Sequence, residues 1–197
     1  MTNNPYRGSQ FLTSAAKLTQ FPVDTGREVA FIGRSNVGKS SIINCLTENK
    51  RLAKTSKTPG RTRLINFFTV TDGIRLVDLP GYGFARVNSS MKRQWSQLIN
   101  DYFMARDSLC GIILIIDIRR QLRAEDLEMI DWGKKTGLPI HLIVNKADKL
   151  PFNRQKRALK EIKADVDEDH VSVQLFSMPH KSGVDDVVMR LNAWLVG

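Results

Sequence analysis

Gly33-Arg34-Ser35-Asn36-Val37-Gly38-Lys39-Ser40 fits the pattern G-x-x-x-x-G-K-S, a loop whose backbone amides cradle phosphates. Its surroundings fit as well. Apolar Val29-Ala30-Phe31-Ile32 precedes it, and Ile42, Ile43 and Leu46 follow at helical spacing. The motif therefore falls between a strand and a helix, the context it needs. Its glycines let N–H groups turn inward, and the helix N-terminus adds partial positive charge. In this reading Lys39 reaches the β- and γ-phosphates, and the Ser40 hydroxyl is a Mg²⁺ ligand.

Outward from this loop, apolar runs alternate with amphipathic stretches. That is the signature of an α/β fold in three layers, a mostly parallel sheet covered by helices on both faces. Strands are expected at Glu28–Gly33, Leu64–Val70, Ile74–Asp78, Gly111–Asp117, Ile140–Asn145 and Ser172–Phe176, a six-stranded sheet. Helices are expected at Lys39–Glu48, Met91–Ala105, Ala124–Thr136, Asn153–Asp167 and Val184–Leu195. Thr71-Asp72-Gly73 joins two strands closely enough for an antiparallel hairpin. Residues 1–25 are less regular, and read as an N-terminal arm or an extra edge strand before a single domain over 26–197. Asn49–Arg63 has no clear period, and long irregular segments inside a domain are usually functional.

A phosphate loop alone does not choose between ATP and GTP. Asp78-Leu79-Pro80-Gly81 ends a strand as D-x-x-G. Asp78 is placed to hold Mg²⁺ through water, and the Gly81 N–H to meet a γ-phosphate. Asn145-Lys146-Ala147-Asp148 follows another strand as N-K-x-D. A carboxylate at Asp148 only accepts, so it suits the N1–H and N2–H₂ donors of guanine, which adenine lacks. A site built on such bonds rejects the wrong base by roughly 10⁴-fold. Asp148 as a simple helix cap is the bland alternative, and the order of the three motifs favours guanine. Asn145 is expected to tie this loop to the phosphate loop, and the Lys146 stem to cover one face of the base. Phe176-Ser177-Met178 closes the last strand, with backbone in reach of the guanine O6. Gly81-Tyr82-Gly83 begins a dinucleotide-type G-x-G-x-x-G, but Arg86 breaks it.

Composition agrees with a globular domain: 42% hydrophobic residues leave enough apolar surface for a core. The longest apolar run, Gly111 to Ile116, is far short of the roughly 20 residues a bilayer needs. The N-terminal MTNNPYRGSQ lacks a signal-peptide pattern, so a cytoplasmic location is expected. Cys45 and Cys110 are too few for a disulfide framework and read as buried reduced thiols. Thirty Lys and Arg against 20 Asp and Glu give a net charge of +10. That excess suits a polyanionic partner, against the alternative of a merely soluble basic protein.

The motifs G-R-S-N-V-G-K-S, S-K-T-P-G-R-T-R, D-L-P-G-Y-G and N-K-A-D, at these separations, resemble the EngB/YihA family of bacterial GTPases. The family lies within the TrmE-Era-EngA-EngB-Septin-like class, and the resemblance runs from about residue 10 to the last helix. It implies a Ras-like P-loop fold, a role in assembling the large (50S) ribosomal subunit, and a need for the protein in cell division and septation. It implies nucleotide contacts at Gly33 to Ser40, at Gly60, Arg61, Thr62, Arg63 and Leu64, at Asp78 to Gly81, at Asn145 to Asp148, and at Phe176, Ser177 and Met178. It places Mg²⁺ on Ser40 and Thr62, with Thr62 preferred over Thr58 as the switch threonine. The sequence departs at Ser177-Met178, where the family usually has S-S or S-A. A backbone contact survives that change.

Lys39, Thr62, Gly81 and Asn36 are the catalytic candidates. Small GTPases commonly place a water-orienting Gln after D-x-x-G. Here the residue is Tyr82, read as a phenol on an outward-facing turn, so turnover is expected to be slow without a partner or a cation. Asn36 resembles the asparagine of GTPases that use K⁺, the alternative being a loop cap. Lys50, Arg51, Lys54, Lys57, Arg61 and Arg63, with Arg86, Lys92 and Arg93, form a basic surface beside the switches. Large ribosomal subunits or their precursors are the expected partner, no membrane is expected, and a monomer is the default. Arg154, Lys156, Arg157, Lys160 and Lys163 share one helix, where a plain solvated face is favoured. Trp95, Trp132 and Trp194 are expected in the core.

Overall fold

The computed structural model describes residues 4–54, 64–82 and 89–196. Among the described residues seven strands form one sheet: β1 Gln10–Ala15, β2 Arg27–Gly33, β3 Ile65–Thr71, β4 Ile74–Asp78, β5 Leu109–Asp117, β6 Ile140–Asn145 and β7 Val171–Leu175. Their order is β1-β3-β4-β2-β5-β6-β7. Among the described residues the α-helices are α1 Lys39–Leu46, α2 Ser89–Ala105, α3 Ala124–Thr136, α4 Phe152–Ala164 and α5 Val184–Leu195. β3 pairs antiparallel with both β1 and β4, and the other pairings are parallel. A single strand therefore runs against the rest. The hairpin turns through Asp72 and Gly73, where Gly73 takes φ +72°, a left-handed conformation that L side chains rarely adopt.

The buried strands are apolar on both faces because helices cover both. On β5, Ile112, Leu114 and Ile116 face one core, which also holds Ala30, Ile32, Leu98, Tyr102, Ile130 and Ile162. Ile113 and Ile115 face the other, with Val29, Phe31, Ile42, Leu46, Leu191 and Trp194. The alternation along β2 and β5 thus separates α2, α3 and α4 from α1 and α5, giving the expected three layers. α5 sits close: a Cβ on Gly111 would lie 2.3 Å from the Trp194 ring.

The element boundaries shift by a few residues. α1 stops at Leu46 before Glu48, and α4 covers Phe152–Ala164, ending before Asp167. The irregular N-terminal stretch contributes β1, an edge strand. Cys45 and Cys110 are half-buried free thiols, less enclosed than expected. Trp194 is buried and Trp132 half-buried against the core; the Trp95 side chain lies outside the described residues.

At the amino end of the sheet, Glu28 is fully buried. It accepts from Arg75 (2.6 Å), Arg106 (2.5 Å) and Tyr102 (3.2 Å). The two guanidinium groups are what a carboxylate removed from water requires. Arg106 also donates to the Pro22 carbonyl at 2.7 Å, fastening the chain before β2. The opposite end of the sheet is left for chemistry.

Candidate functional site

Four parallel strands finish at that end in Gly33, Asp78, Asp117 and Asn145, and β7 finishes at Leu175. In open α/β sheets the loops beyond the carboxyl ends of the strands form the ligand crevice. The loop from Gly33 to Ser40 lies there. Gly38 caps α1 with φ +104°, and Asn36 also takes positive φ, +65°. A Cβ on Gly38 would lie 2.4 Å from the Asn145 amide nitrogen, and one on Gly33 would lie 2.4 Å from the Ile115 carbonyl oxygen. These contacts explain why glycine is needed at both ends of the loop. The first N–H groups of α1 have no intrahelical acceptor, and they open toward the crevice at Lys39 and Ser40.

Lys39 Nζ pairs with Asp78 Oδ1, and both side chains are nearly enclosed, at 10% and 2% exposure. The fold thus brings the ammonium expected to meet phosphate and the D-x-x-G carboxylate into direct contact. A phosphate oxygen would compete with Asp78 for this ammonium. Ser40 is half-buried at the start of α1. The residues present fit a nucleotide phosphate chain with its hard divalent ion: a hydroxyl and a carboxylate as oxygen ligands, an enclosed ammonium, and a free helix N-terminus. Gly60, Arg61, Thr62 and Arg63, with the competing Thr58, lie outside the described residues. Leu64 is described and 38% exposed just before β3.

Asn145 donates its side-chain N–H to the Val37 carbonyl at 2.7 Å, so the N-K-x-D loop is tied to the phosphate loop. Its own oxygen accepts the Lys146 N–H at 2.7 Å. Lys146 stands at φ +63° and reaches two acceptors, the Asn36 carbonyl at 2.7 Å and Asp117 Oδ2 at 2.9 Å. Asp148 Oδ1 accepts the Ser177 hydroxyl at 3.0 Å, and the Ala147 N–H donates to the Phe176 carbonyl at 3.0 Å. The four motifs therefore form one connected structure. The Lys149 ammonium, 3.0 Å away, and the Ser177 hydroxyl hold the Asp148 carboxyl below its usual range. Asp148 is thus an ionised acceptor at neutral pH, as guanine recognition needs. A short 3₁₀ turn, Ala147–Lys149, stands where the helix-cap alternative would begin. The N–H of Met178 bonds no described residue, and its carbonyl accepts from Lys181 at 3.2 Å.

Val37, Leu79, Ala147 and Phe176 are core residues, and Pro80 is buried beside them. Only their backbone can meet a ligand. Arg34 and Ser35 are half-buried, and Asn36 is exposed, with no side-chain hydrogen bond to a described residue. The structure thus shows no loop cap made by the Asn36 amide.

Tyr82 overturns one expectation. Its phenol does not face outward: it is 5% exposed and donates to Asp126 Oδ1 on α3. The inward turn follows from that carboxylate and from the core cluster into which the ring packs. Sequence reading also missed Asp117. It ends β5 directly opposite Asn145 and is 4% exposed. Burial alone would raise its carboxyl, but hydrogen bonds from Arg119 and Lys146 hold it far below the usual range. Its trace in the sequence is only an acid closing the apolar run that ends at Ile116, and nothing local names its partner Lys146.

Residues 28–146 match the family described as 50S ribosome-binding GTPase. A probable GTP-binding protein EngB of Dechloromonas aromatica is 48% identical over 96% of this chain and 88% of its own. The counterpart from Serratia proteamaculans is 47% identical over 98% and 90%. A solved structure of a probable GTP-binding protein EngB superimposes with a TM-score of 0.68 at 23% identity, covering 86% of this chain and 98% of that one. Era bound to MgGDPNP and a 16S ribosomal RNA fragment shares the fold, with a TM-score of 0.66 at 21% identity over 87% of this chain and 57% of that chain.

Proposed function

The chain belongs to the EngB family of GTP-binding proteins and carries a GTPase domain, and from that premise we propose that it is a Mg²⁺-dependent switch acting in assembly of the large (50S) ribosomal subunit in the cytoplasm. The observation that carries the guanine part is the Asn145–Val37 bond, which sets the ionised Asp148 at a fixed distance from the phosphate loop. Ser40 would ligate the metal and Asp78 would hold it through water, with Thr62 as the second ligand when a γ-phosphate is bound. The metal neutralises phosphate charge there. Lys39 leaves Asp78 to bind phosphate oxygens, and the Gly81 N–H meets the γ-phosphate. Hydrolysis then removes the γ-phosphate that Thr62 and Gly81 would both contact.

The ribosomal part is supported by the family's description, by the net charge of +10, and by exposed Lys50, Arg51 and Lys54 beside the switch segment. Cell division and septation depend on the protein through ribosome supply. Turnover is slow without a partner, because the residue after D-x-x-G is a tyrosine turned into the core. Asn36, whose amide bonds no described residue, recruits K⁺ to the phosphates. That same buried tyrosine favours a second reading, a nucleotide-responsive docking module with negligible turnover of its own.

GTP hydrolysis measured in KCl, with and without purified large subunits, separates the two readings. ATP and Asp148→Asn serve as specificity controls, and NaCl as the cation control. Stimulation by the particle with GTP alone is expected, and its absence leaves the docking reading. Equal rates in KCl and NaCl would remove the role of Asn36.

A further inference from the structure

Tyr82 is bonded on both sides of its backbone to the phosphate loop. Its N–H donates to the Gly33 carbonyl at 3.3 Å, and its carbonyl accepts the Ser35 N–H at 3.0 Å. Gly81 is pressed against the same loop: a Cβ there would lie 3.2 Å from the Gly33 oxygen and 3.3 Å from the Ser35 nitrogen. The Tyr82 side chain then reaches away to α3, where its hydroxyl donates to Asp126 Oδ1. Asp126 is 1% exposed. Its other oxygen accepts the Arg123 N–H at 2.9 Å, closing the first turn of α3. The acceptor is therefore fixed to a helix that packs on the central sheet.

We propose that Tyr82 is a positioning residue for the γ-phosphate: its bond to Asp126 rivets the D-x-x-G turn to α3 and so holds the Gly81 N–H against the phosphate loop. The proposal deepens the guanine-nucleotide reading above and rests on it. A glutamine at this position acts on water directly. The tyrosine acts through the backbone of its neighbour. Burial first, and then the Asp126 charge, push the phenol's ionisation far upward, so it stays a donor at any physiological pH. Bound GDP has no γ-phosphate for Gly81 to meet. The rivet therefore favours the triphosphate and is nearly indifferent to the diphosphate.

The test is titration of fluorescent GDP and of a fluorescent non-hydrolysable GTP analogue against wild type, Tyr82→Phe, Asp126→Ala and the double variant. A hydrogen bond to a charged group is worth enough for about a tenfold change. Tyr82→Phe is expected to weaken the analogue about tenfold relative to GDP, with GDP unchanged. The double variant should weaken it no further than Asp126→Ala alone, since both remove one bond. The double variant also leaves no orphaned buried carboxylate, so it reads the ratio where a single variant fails to fold. Parallel loss of both nucleotides, an unmoved ratio, or additive single effects would overturn the rivet. Wild type binding GDP and the analogue while ratios stay fixed leaves the guanine reading standing. Wild type binding neither overturns that reading and the rivet with it.

Discussion

Asp117 sits beneath the N-K-x-D loop and takes the ammonium of Lys146 at 2.9 Å. The same ammonium bonds the Asn36 carbonyl of the phosphate loop. Lys146 thus bridges two loops, and Asp117 fixes where it stands. Asp117→Ala frees Lys146 without touching Asp148 or Lys39. Losing a hydrogen bond to a charged group costs about 1.5–3 kcal/mol, so affinity for GDP and for GTP should fall together by roughly tenfold or more. Calorimetric titration with each nucleotide checks this, and a fall confined to GTP would contradict it. Asp117→Asn keeps an acceptor and should recover part of the loss. The residues of the phosphate loop, D-x-x-G and N-K-x-D were legible because each motif is contiguous and its chemistry is local. Asp117 and the burial of Tyr82 were not. Each depends on a partner distant in the chain, Lys146 for one and Asp126 for the other, and no short pattern carries that information.

At the scale of elements, β5 and β6 were legible because strands covered on both faces are continuous apolar runs. The hairpin was legible from Thr71-Asp72-Gly73. β1 was less so. Gln10–Ala15 exposes its first three residues, with Phe11 and Leu12 at 55% and 45%, and buries only Ala15, so its pattern shows no alternating buried face to read. What fixes it is pairing with β3, a contact made across the hairpin's outer edge. The junction of β6 with β7 holds a feature of a different kind. His141 on β6 is 4% exposed, with Nδ1 2.8 Å from the Ser172 hydroxyl and Nε2 2.7 Å from the Gln174 amide oxygen, both on β7. Burial lowers its pKa to about 4, and Arg190 on α5 pushes the same way against Gln174 and Asp186. Unfolded histidine titrates near 6.5, so between those values the unfolded chain binds more protons than the folded one. Stability contributed by the neutral ring is full above about 6.5 and is lost as pH falls toward 4, by about 3 kcal/mol in all. Urea denaturation from pH 7 to 4.5 should show this slope, and His141→Gln should flatten it. An unchanged slope in the variant would assign the effect to other groups.

At the scale of the whole molecule, the charge of +10 matters only where it is concentrated and unpaired. On α4 it is partly spent. Arg157 pairs with Glu161 at 2.7 Å, Lys163 with Glu168 at 2.8 Å, and Lys156 lies over the exposed Phe152 ring at 4.5 Å. The segment after α1 differs. Asn44 donates to the carbonyls of Lys50 and Ala53 at 3.2 and 2.9 Å and accepts the Ala53 N–H at 2.7 Å. That amide clamps a loop whose Lys50, Arg51 and Lys54 are exposed and pair with no described acid. A fixed loop whose three exposed cations meet no described acid is a better phosphate-binding surface than a helix face on which acids hold Arg157 and Lys163. If each cation neutralises one phosphate of ribosomal RNA, counterion release gives a log–log salt slope of about −0.7 to −0.9 per contact. Association with large subunits should then weaken about 20- to 40-fold between roughly 50 and 200 mM salt on account of these three alone. Reversing all three to Glu should remove that share of the slope and most of the binding, with GDP affinity intact, because none of them touches the phosphate loop. Reversing Arg154, Lys156 and Lys160 on α4 should change binding far less. Co-sedimentation with large subunits across a salt series measures both. The opposite ranking would move the docking surface to α4, which follows the N-K-x-D loop in the chain, and away from the loop after α1.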